Sequence, residues 1–148
     1  MEIVTDIERL RKPAELVRQA KDDFTCVVEV ADVLLTEMVQ HNAQGLAANQ
    51  LGYDLRMFVM KLREYTPICI VNPEIVKTRG WYKSNEGCLS LPGVVVRVKR
   101  PMEVRVKGFN KYFKPVNYRF KGIEARRACH EIDHLNGKLI TDYAKNSS

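Results

Sequence analysis

The sequence predicts an α+β fold with antiparallel or mixed β-sheets, a helix towards the N-terminus and a closing helix that carries HExxH. Three observations predict it: a helical apolar stripe over 24–39, period-two alternation from Val94 to Lys107, and a final helical pattern, IEARRACHEIDHLN. Runs of strands followed by one helix argue against a βαβ alternation. The 148 residues, 45% hydrophobic and 28% charged, suit one globular domain over 1–148 that buries a core without disulfide staples. Disorder and a fibrous class are excluded.

The opening MEIVTDIERLRKPAEL is charged from Glu2 onward and lacks the basic flank, apolar run and cleavage site of a secretory signal. No apolar stretch approaches the roughly 20 residues of a membrane helix. Phe24, Val27, Val28, Ala31, Leu34, Leu35 and Met38 give one apolar helical face, which Asp22 or Asp23 caps. The pattern stops at HNAQG, and GLAANQLGY reads as a glycine-bounded connection before strand-like MFVM (57–60) and ICIVNP (68–73). Val96, Val98, Val104 and Val106 then alternate with Arg97, Lys99, Arg105 and Lys107, giving antiparallel strands with one wet face, interrupted near Pro101. GFNKYFKP is a turn, NYRF a short strand, and the last helix closes at Asn136 and Gly137.

The net charge is +6. Between Arg97 and Arg127 stand eleven Lys or Arg against Glu103 and Glu124, a stretch suited to nucleic acid or a ribosome surface. The simpler reading is the solvent faces of strands plus one loop, because basic and apolar residues alternate and stacking aromatics are few. Cys26, Cys69, Cys88 and Cys129 follow no paired spacing, so free thiols or metal ligands in a reducing cytoplasm are expected, not a disulfide framework. Nothing in the sequence calls for a nucleotide cofactor.

HEIDH (130–134) carries most chemistry. Residues four apart share a helix face, so His130 and His134 can direct two imidazole nitrogens at one ion, and Glu131 flanks it as a general base towards metal-bound water. A catalytic site needs a third protein ligand and an open position. The tail after His134 offers only Asp142, so the ligand must come from upstream. Cys88, in EGCLSLPG between glycine-bearing turns, is the best choice. Cys26 and Cys69 lie in apolar helix and strand patterns that suit buried inert thiols, and Cys129 points about 100° away from His130.

Three motifs now stand in order: QGLAANQ (44–50), EGCLS (86–90) and HEIDH (130–134). Together with the opening LRKPA they resemble the peptide deformylase family, specifically the bacterial type with EGCLS, over essentially the whole chain. The resemblance implies that Cys88, His130 and His134 hold a divalent metal, with water in the fourth position. Fe2+ is the ion implied first, with Zn2+, Ni2+ or Co2+ as other occupants. It further implies Glu131 as general base and acid, and Gln50 with the Leu89 backbone N–H as donors to the developing oxyanion. N-formylmethionyl nascent peptides are the implied substrates, losing formate to metal hydroxide. Their extended backbones would run beside Gly45 and Gly87, with Gln44 and Arg127 at the methionine side chain, and Glu86 and Arg100 would brace the cysteine loop. A cytoplasmic enzyme is implied, from a bacterium or a bacterial virus; a mature organellar form would look the same.

The chain departs from the family pattern at several places. Ala43 and Gln44 stand where the first motif usually has glycine and an apolar residue, and Arg126 and Arg127 stand near positions that help form an apolar methionine pocket. A more polar or wider pocket is expected. Cys129 replaces the glutamine that commonly precedes HExxH, placing an oxidisable thiol beside the site. The sequence stops at Ser148, short of a further helix that bacterial members often carry. Contact with the ribosome would then fall to other surfaces, the basic stretch among them. Two other readings remain at this point: an HExxH endopeptidase, and a non-catalytic module that holds formyl-peptides or RNA.

Overall fold

A computed structural model of the chain describes residues 1–18, 24–62 and 66–144. The elements, in chain order, are a short helix α1 (Ile7–Leu10), a long helix α2 (Phe24–Gln40), strand β1 (Gly45–Ala47), a 3-10 turn (Ala48–Leu51), strands β2 (Met57–Lys61), β3 (Pro67–Cys88), β4 (Leu91–Phe109) and β5 (Pro115–Lys121), helix α3 (Ile123–Leu135) and a short helix α4 (Thr141–Ala144). The five strands form one sheet in the order β1-β2-β3-β4-β5, antiparallel throughout. No described helix is long and apolar enough to cross a membrane. The capping aspartates expected before α2 lie outside the described residues.

Alternation along β2 explains how the sheet is enclosed. Phe58 and Met60 pack with Ile70 and with Ala125, Ala128, Ile132 and Leu135 of α3, while Met57 and Val59 pack with Val27, Ala31, Leu34 and Met38 of α2. That end of the sheet lies between two helices, and all four residues of MFVM are buried. Towards β4 and β5 the arrangement changes. Val104, Val106 and Phe120 still face α3, but Arg105, Lys107 and Arg119 on the other side are exposed.

Three local expectations are corrected. GLAANQ is not simply a connection: Gly45–Ala47 pairs with β2, and the 3-10 turn follows. β4 runs unbroken through Pro101, which stands opposite Trp81 on β3, because β5 pairs with β4 only from Glu103 to Phe109. At 101 β4 has no β5 partner on its far side, an edge-like position of the kind at which a strand tolerates proline. Cys26 is exposed, not buried: the packed face of α2 runs through Val27, Ala31, Leu34 and Met38, about 100° round the helix from it. Cys69 is largely enclosed, and burial pushes its thiol up to about 12.

The N-terminal segment straps the site from outside. Val4 N–H donates to Gln50 O at 2.7 Å and Ala14 N–H to Leu135 O at 2.8 Å, tying it to the 3-10 turn and to the end of α3. After α3 the chain turns at Gly137, φ 74°, where a Cβ would stand 2.2 Å from Arg11 O. Only glycine permits both the left-handed turn and that approach.

Candidate metal centre

Helix α3 presents His130 and His134 one turn apart, their rings edge to face at 5.0 Å between centroids. The β3–β4 hairpin brings Cys88 to them at its tight turn, where the register shifts between Gly87 and Cys88. Cys88 Sγ lies 3.2 Å from His134 Nε2, and the three ligand atoms of Cys88, His130 and His134 all fall within 4.8 Å of one another. His130 Nδ1 is engaged with Glu86 Oε1 at 2.9 Å, which leaves Nε2 as its ligand atom. A carboxylate on the far nitrogen is the usual device for orienting a ligating imidazole.

The donor set fits a cation. His130 is pushed up to about 10: burial opposes its charge, but Cys88, Glu131 and Glu86 outweigh burial and hold a proton there. His134 moves the other way, well below its usual value, through burial and the neighbouring charges of His130 and Arg100. Its buried Nδ1 has no hydrogen-bond partner among the described residues. A thiolate with two neutral imidazoles would suit Zn2+, Fe2+, Ni2+ or Co2+ rather than a hard oxygen-seeking ion.

A network of buried charges holds this arrangement. Arg100, only 2% exposed, donates through Nε to Glu86 Oε2 and through Nη2 to Oε1, both at 2.8 Å, and through Nη1 to Asp133 Oδ2 at 2.6 Å. Tyr143 of α4 donates to the same Asp133 oxygen at 2.6 Å, and Ser84 Oγ donates to Glu86 Oε2 at 3.0 Å. Burial alone would raise Glu86; the bonds from Arg100 and His130 reverse that and bring it down to about 2. The Glu86–Arg100 pair was legible in the sequence. Asp133 and Tyr143 were missed, although a carboxylate inside HEIDH, three residues after His130 and thus near it on the helix, was an available signal.

Glu131 is almost wholly enclosed, and burial pushes its carboxyl up to about 7 despite His130 and Arg100. Its Oε1 has no partner among the described residues. Its Oε2 lies against β1, where a Cβ added at Gly45 would stand 2.7 Å from it. Gly45 therefore makes room for this carboxylate. Gly87 is less constrained, since a Cβ there would meet only Val94 O at 3.6 Å.

Gln50 sits at the end of the 3-10 turn with its Oε1 accepting from Ala47 N–H at 3.0 Å. That bond turns Nε2 inward, 3.1 Å from Ser90 Oγ and 3.6 Å from Cys88 Sγ. Asn49 Nδ2 donates to His134 O at 2.6 Å, fastening the turn to the ligand helix. A cavity of about 580 Å3 opens over these groups, within the range of small-ligand sites. Gln44, Gly45, Gln50, Gly87, Cys88, Leu89, Arg127, His130 and Glu131 all line it, so nine of the sequence-derived candidates share one wall-to-wall space; His134 completes the ligand cluster beside them. Ala43, Asn85, Pro92 and Arg126 join the lining. Arg127 Nη1 donates to Lys61 O at 3.0 Å. Cys129 is outside the lining and buried, and burial pushes its thiol up to about 12.

An α+β sheet wrapped on a helix that offers two histidines and a buried glutamate to a thiolate defines the HExxH class of metallohydrolases. Comparison with known proteins narrows the class. The sequence profile of polypeptide deformylase matches residues 1–148. The peptide deformylase of Thermoanaerobacter pseudethanolicus is 42% identical over 137 residues, covering 93% of this chain and 84% of the relative. The crystal structure of a peptide deformylase from Legionella pneumophila superposes with a TM-score of 0.87 at 36% identity, covering 97% of this chain and 84% of that one. That from the Vibrio parahaemolyticus bacteriophage VP16T, solved with actinonin, gives 0.86 at 34% identity over 95% of this chain and 100% of that one. This chain belongs to the peptide deformylase family.

Proposed function

We propose that this enzyme hydrolyses the N-formyl group of N-formylmethionyl nascent peptides, with Fe2+ held by Cys88, His130 and His134 and with Zn2+, Ni2+ or Co2+ as working substitutes. Water adds to the formyl carbon, the C–N bond breaks, and the products are formate and a free α-amine. The observation that carries this reading is the convergence of the three ligand atoms within 4.8 Å beside a cavity also lined by Glu131 and Gln50. A divalent ion bound there supplies Lewis acidity, making water nucleophilic near neutral pH and polarising the carbonyl.

The chain's own groups perform the rest. Glu131, with one oxygen unpartnered, takes the proton from the attacking water and delivers it to the departing nitrogen. Gln50 Nε2 and the Leu89 N–H serve as donors where negative charge develops on the formyl oxygen. Of the two Nε2 contacts, the 3.6 Å one to sulfur is the weaker, and the one that a substrate oxygen replaces. Gln44, Gly45, Gly87 and Arg127 line the path of an extended peptide, with β1 offering its backbone as a strand to pair with. Gln44, Arg126 and Arg127 give the side-chain pocket a polar wall. Residues 1–148 act as a single catalytic domain in the cytoplasm.

The test is formate release from formyl-Met-Ala-Ser by anaerobically purified protein supplied with Fe2+ or Ni2+. Wild type releases formate; Glu131→Gln retains the metal and loses about 10²–10⁴-fold in turnover, the usual worth of a general base. No formate from fully metallated wild type would overturn the proposed reaction, and full activity in Glu131→Gln would overturn the role of the glutamate.

A further inference from the structure

Away from the cavity, the face of β3, β4 and β5 that turns its back on α3 carries a concentration of positive charge. Three strands bring cations into direct register: Lys77 stands opposite Arg105, and Arg105 opposite Arg119. One step along, Arg79, Glu103 and Lys121 form the next row, and further up the hairpin Lys83 stands opposite Lys99. Residues directly opposite on neighbouring strands have Cβ atoms about 4.5–5.5 Å apart, and like charges so placed destabilise a sheet. Glu103 relieves this only in part, since its carboxylate is engaged by Arg119. A recess of about 160 Å3 is lined by Lys77, Thr78, Arg79, Glu103, Arg105 and Arg119.

Next to these rows stands Trp81, the only tryptophan of the chain and 56% exposed. It follows Arg79 by two residues on the same strand face, about 7 Å away. Lys99 Nζ lies 5.3 Å from its ring centroid, so an open aromatic surface and an ammonium form one unit. A row of cations tracking a backbone, with an aromatic platform beside it, is the combination that binds single-stranded nucleic acid.

We propose that the outer face of β3, β4 and β5 binds single-stranded RNA, with phosphates over the Lys77, Arg105 and Arg119 row and a base stacked on Trp81. With only Glu103 and Glu74, the latter opposite Lys107, set against Lys77, Arg79, Arg105, Lys107, Arg119 and Lys121, the face keeps a positive excess that a polyanion of regular charge spacing neutralises best, and a peptide acid offers nothing to stack on the indole. The choice of RNA over DNA rests on the function proposed above, because nascent formylated chains emerge from an RNA-rich particle. Val104, Val106 and Phe120 turn the opposite face of these strands to α3, so RNA bound outside leaves the cavity open to peptide.

The experiment titrates the metal-loaded protein with a fluorescein-labelled 12-nucleotide RNA, read by anisotropy, and separately follows Trp81 emission with unlabelled RNA. Three or four held phosphates predict that log K falls against log[salt] with a slope of about −2 to −3. Trp81 emission is quenched on binding. Lys77→Glu with Arg105→Glu weakens binding at least tenfold, and Trp81→Leu weakens it about fivefold or more. Arg9→Glu with Lys12→Glu, an equal charge change elsewhere on the surface, leaves binding within twofold. All variants keep wild-type formate release, so folding and the proposed reaction are read separately from RNA binding.

Absence of binding at 50 mM salt, equal loss in the Arg9/Lys12 control, or unaltered Trp81 emission on binding would each overturn the proposal. Equal affinity for DNA of the same sequence would overturn the assignment to RNA, and equal quenching by poly-glutamate would overturn a nucleic-acid site altogether.

Discussion

The two faces of this sheet treat charge in opposite ways. On the α3 side, Glu86, Arg100, Asp133 and His130 are packed into the interior and every one is matched: Arg100 alone satisfies two carboxylates, and Tyr143 adds a donor to the second. On the outer side Lys77, Arg105 and Arg119 stand side by side, with Glu103 in the row on one side and Glu74 in the row on the other as the flanking carboxylates. Water accounts for the difference. A buried charge without a partner costs several kcal/mol, whereas solvent-exposed like charges repel weakly and are screened within a Debye length of about 8 Å at physiological salt. The matched face is thus the one that holds geometry for chemistry, and the mismatched face is the one with charge to offer a partner.

Several substitutions sharpen that contrast. Cys88→Ala should abolish tight metal binding, since two imidazoles alone remain; metal content after dialysis measures it, and stoichiometric retention would show that the third ligand is another group. Arg100→Met should destabilise the fold by about 3–5 kcal/mol in a denaturant titration, because buried Glu86 loses both guanidinium bonds and half-buried Asp133 loses the same cation. Its counterpart on the outer face, Arg105→Met, should change stability by no more than about 0.5 kcal/mol. If the two arginines prove equally important to stability, the comparison of the faces fails.

A smaller effect is expected at the seam between β1 and α3. Gly45→Ala forces a Cβ against Glu131 Oε2 and should cost about 1–3 kcal/mol as an overpacked contact. It should also lower turnover more than Gly87→Ala, where the nearest atom is 3.6 Å away. The mildest test concerns thiols. With Cys69 enclosed and its thiol pushed up to about 12, iodoacetamide at pH 8 should label exposed Cys26 well before Cys69, read by peptide mass mapping; simultaneous labelling would show the β2–β3 region opening.

What was legible beforehand follows the range of the interaction involved. Helical periodicity puts His130 and His134 on one face, so their juxtaposition, with Glu131 beside them, was legible from spacing alone. Cys88 stood out by its place between glycine-bearing turns, and the structure puts it beside the two histidines; Gln50 and Leu89, reached through family resemblance, line the same cavity. Cys26 was misread because an apolar stripe in sequence does not say where the packed face of a helix ends. Pro101 was misread as a break because sequence does not say which side of a strand lacks a partner. Asp133 and Tyr143 escaped because their roles depend on Arg100, which arrives from another element 33 and 43 residues away in sequence.

The sequence by itself determined the α+β class and the helix that carries His130, Glu131 and His134 on neighbouring positions, because these rest on local periodicity and residue type. Only the tertiary structure decided that Glu86 and Arg100 form a buried brace rather than a surface pair, and that Gly45 makes room for Glu131. It also decided that cations far apart in sequence line up on three strands. Antiparallel register sets those distances, and register is a property of the whole sheet that no single segment encodes.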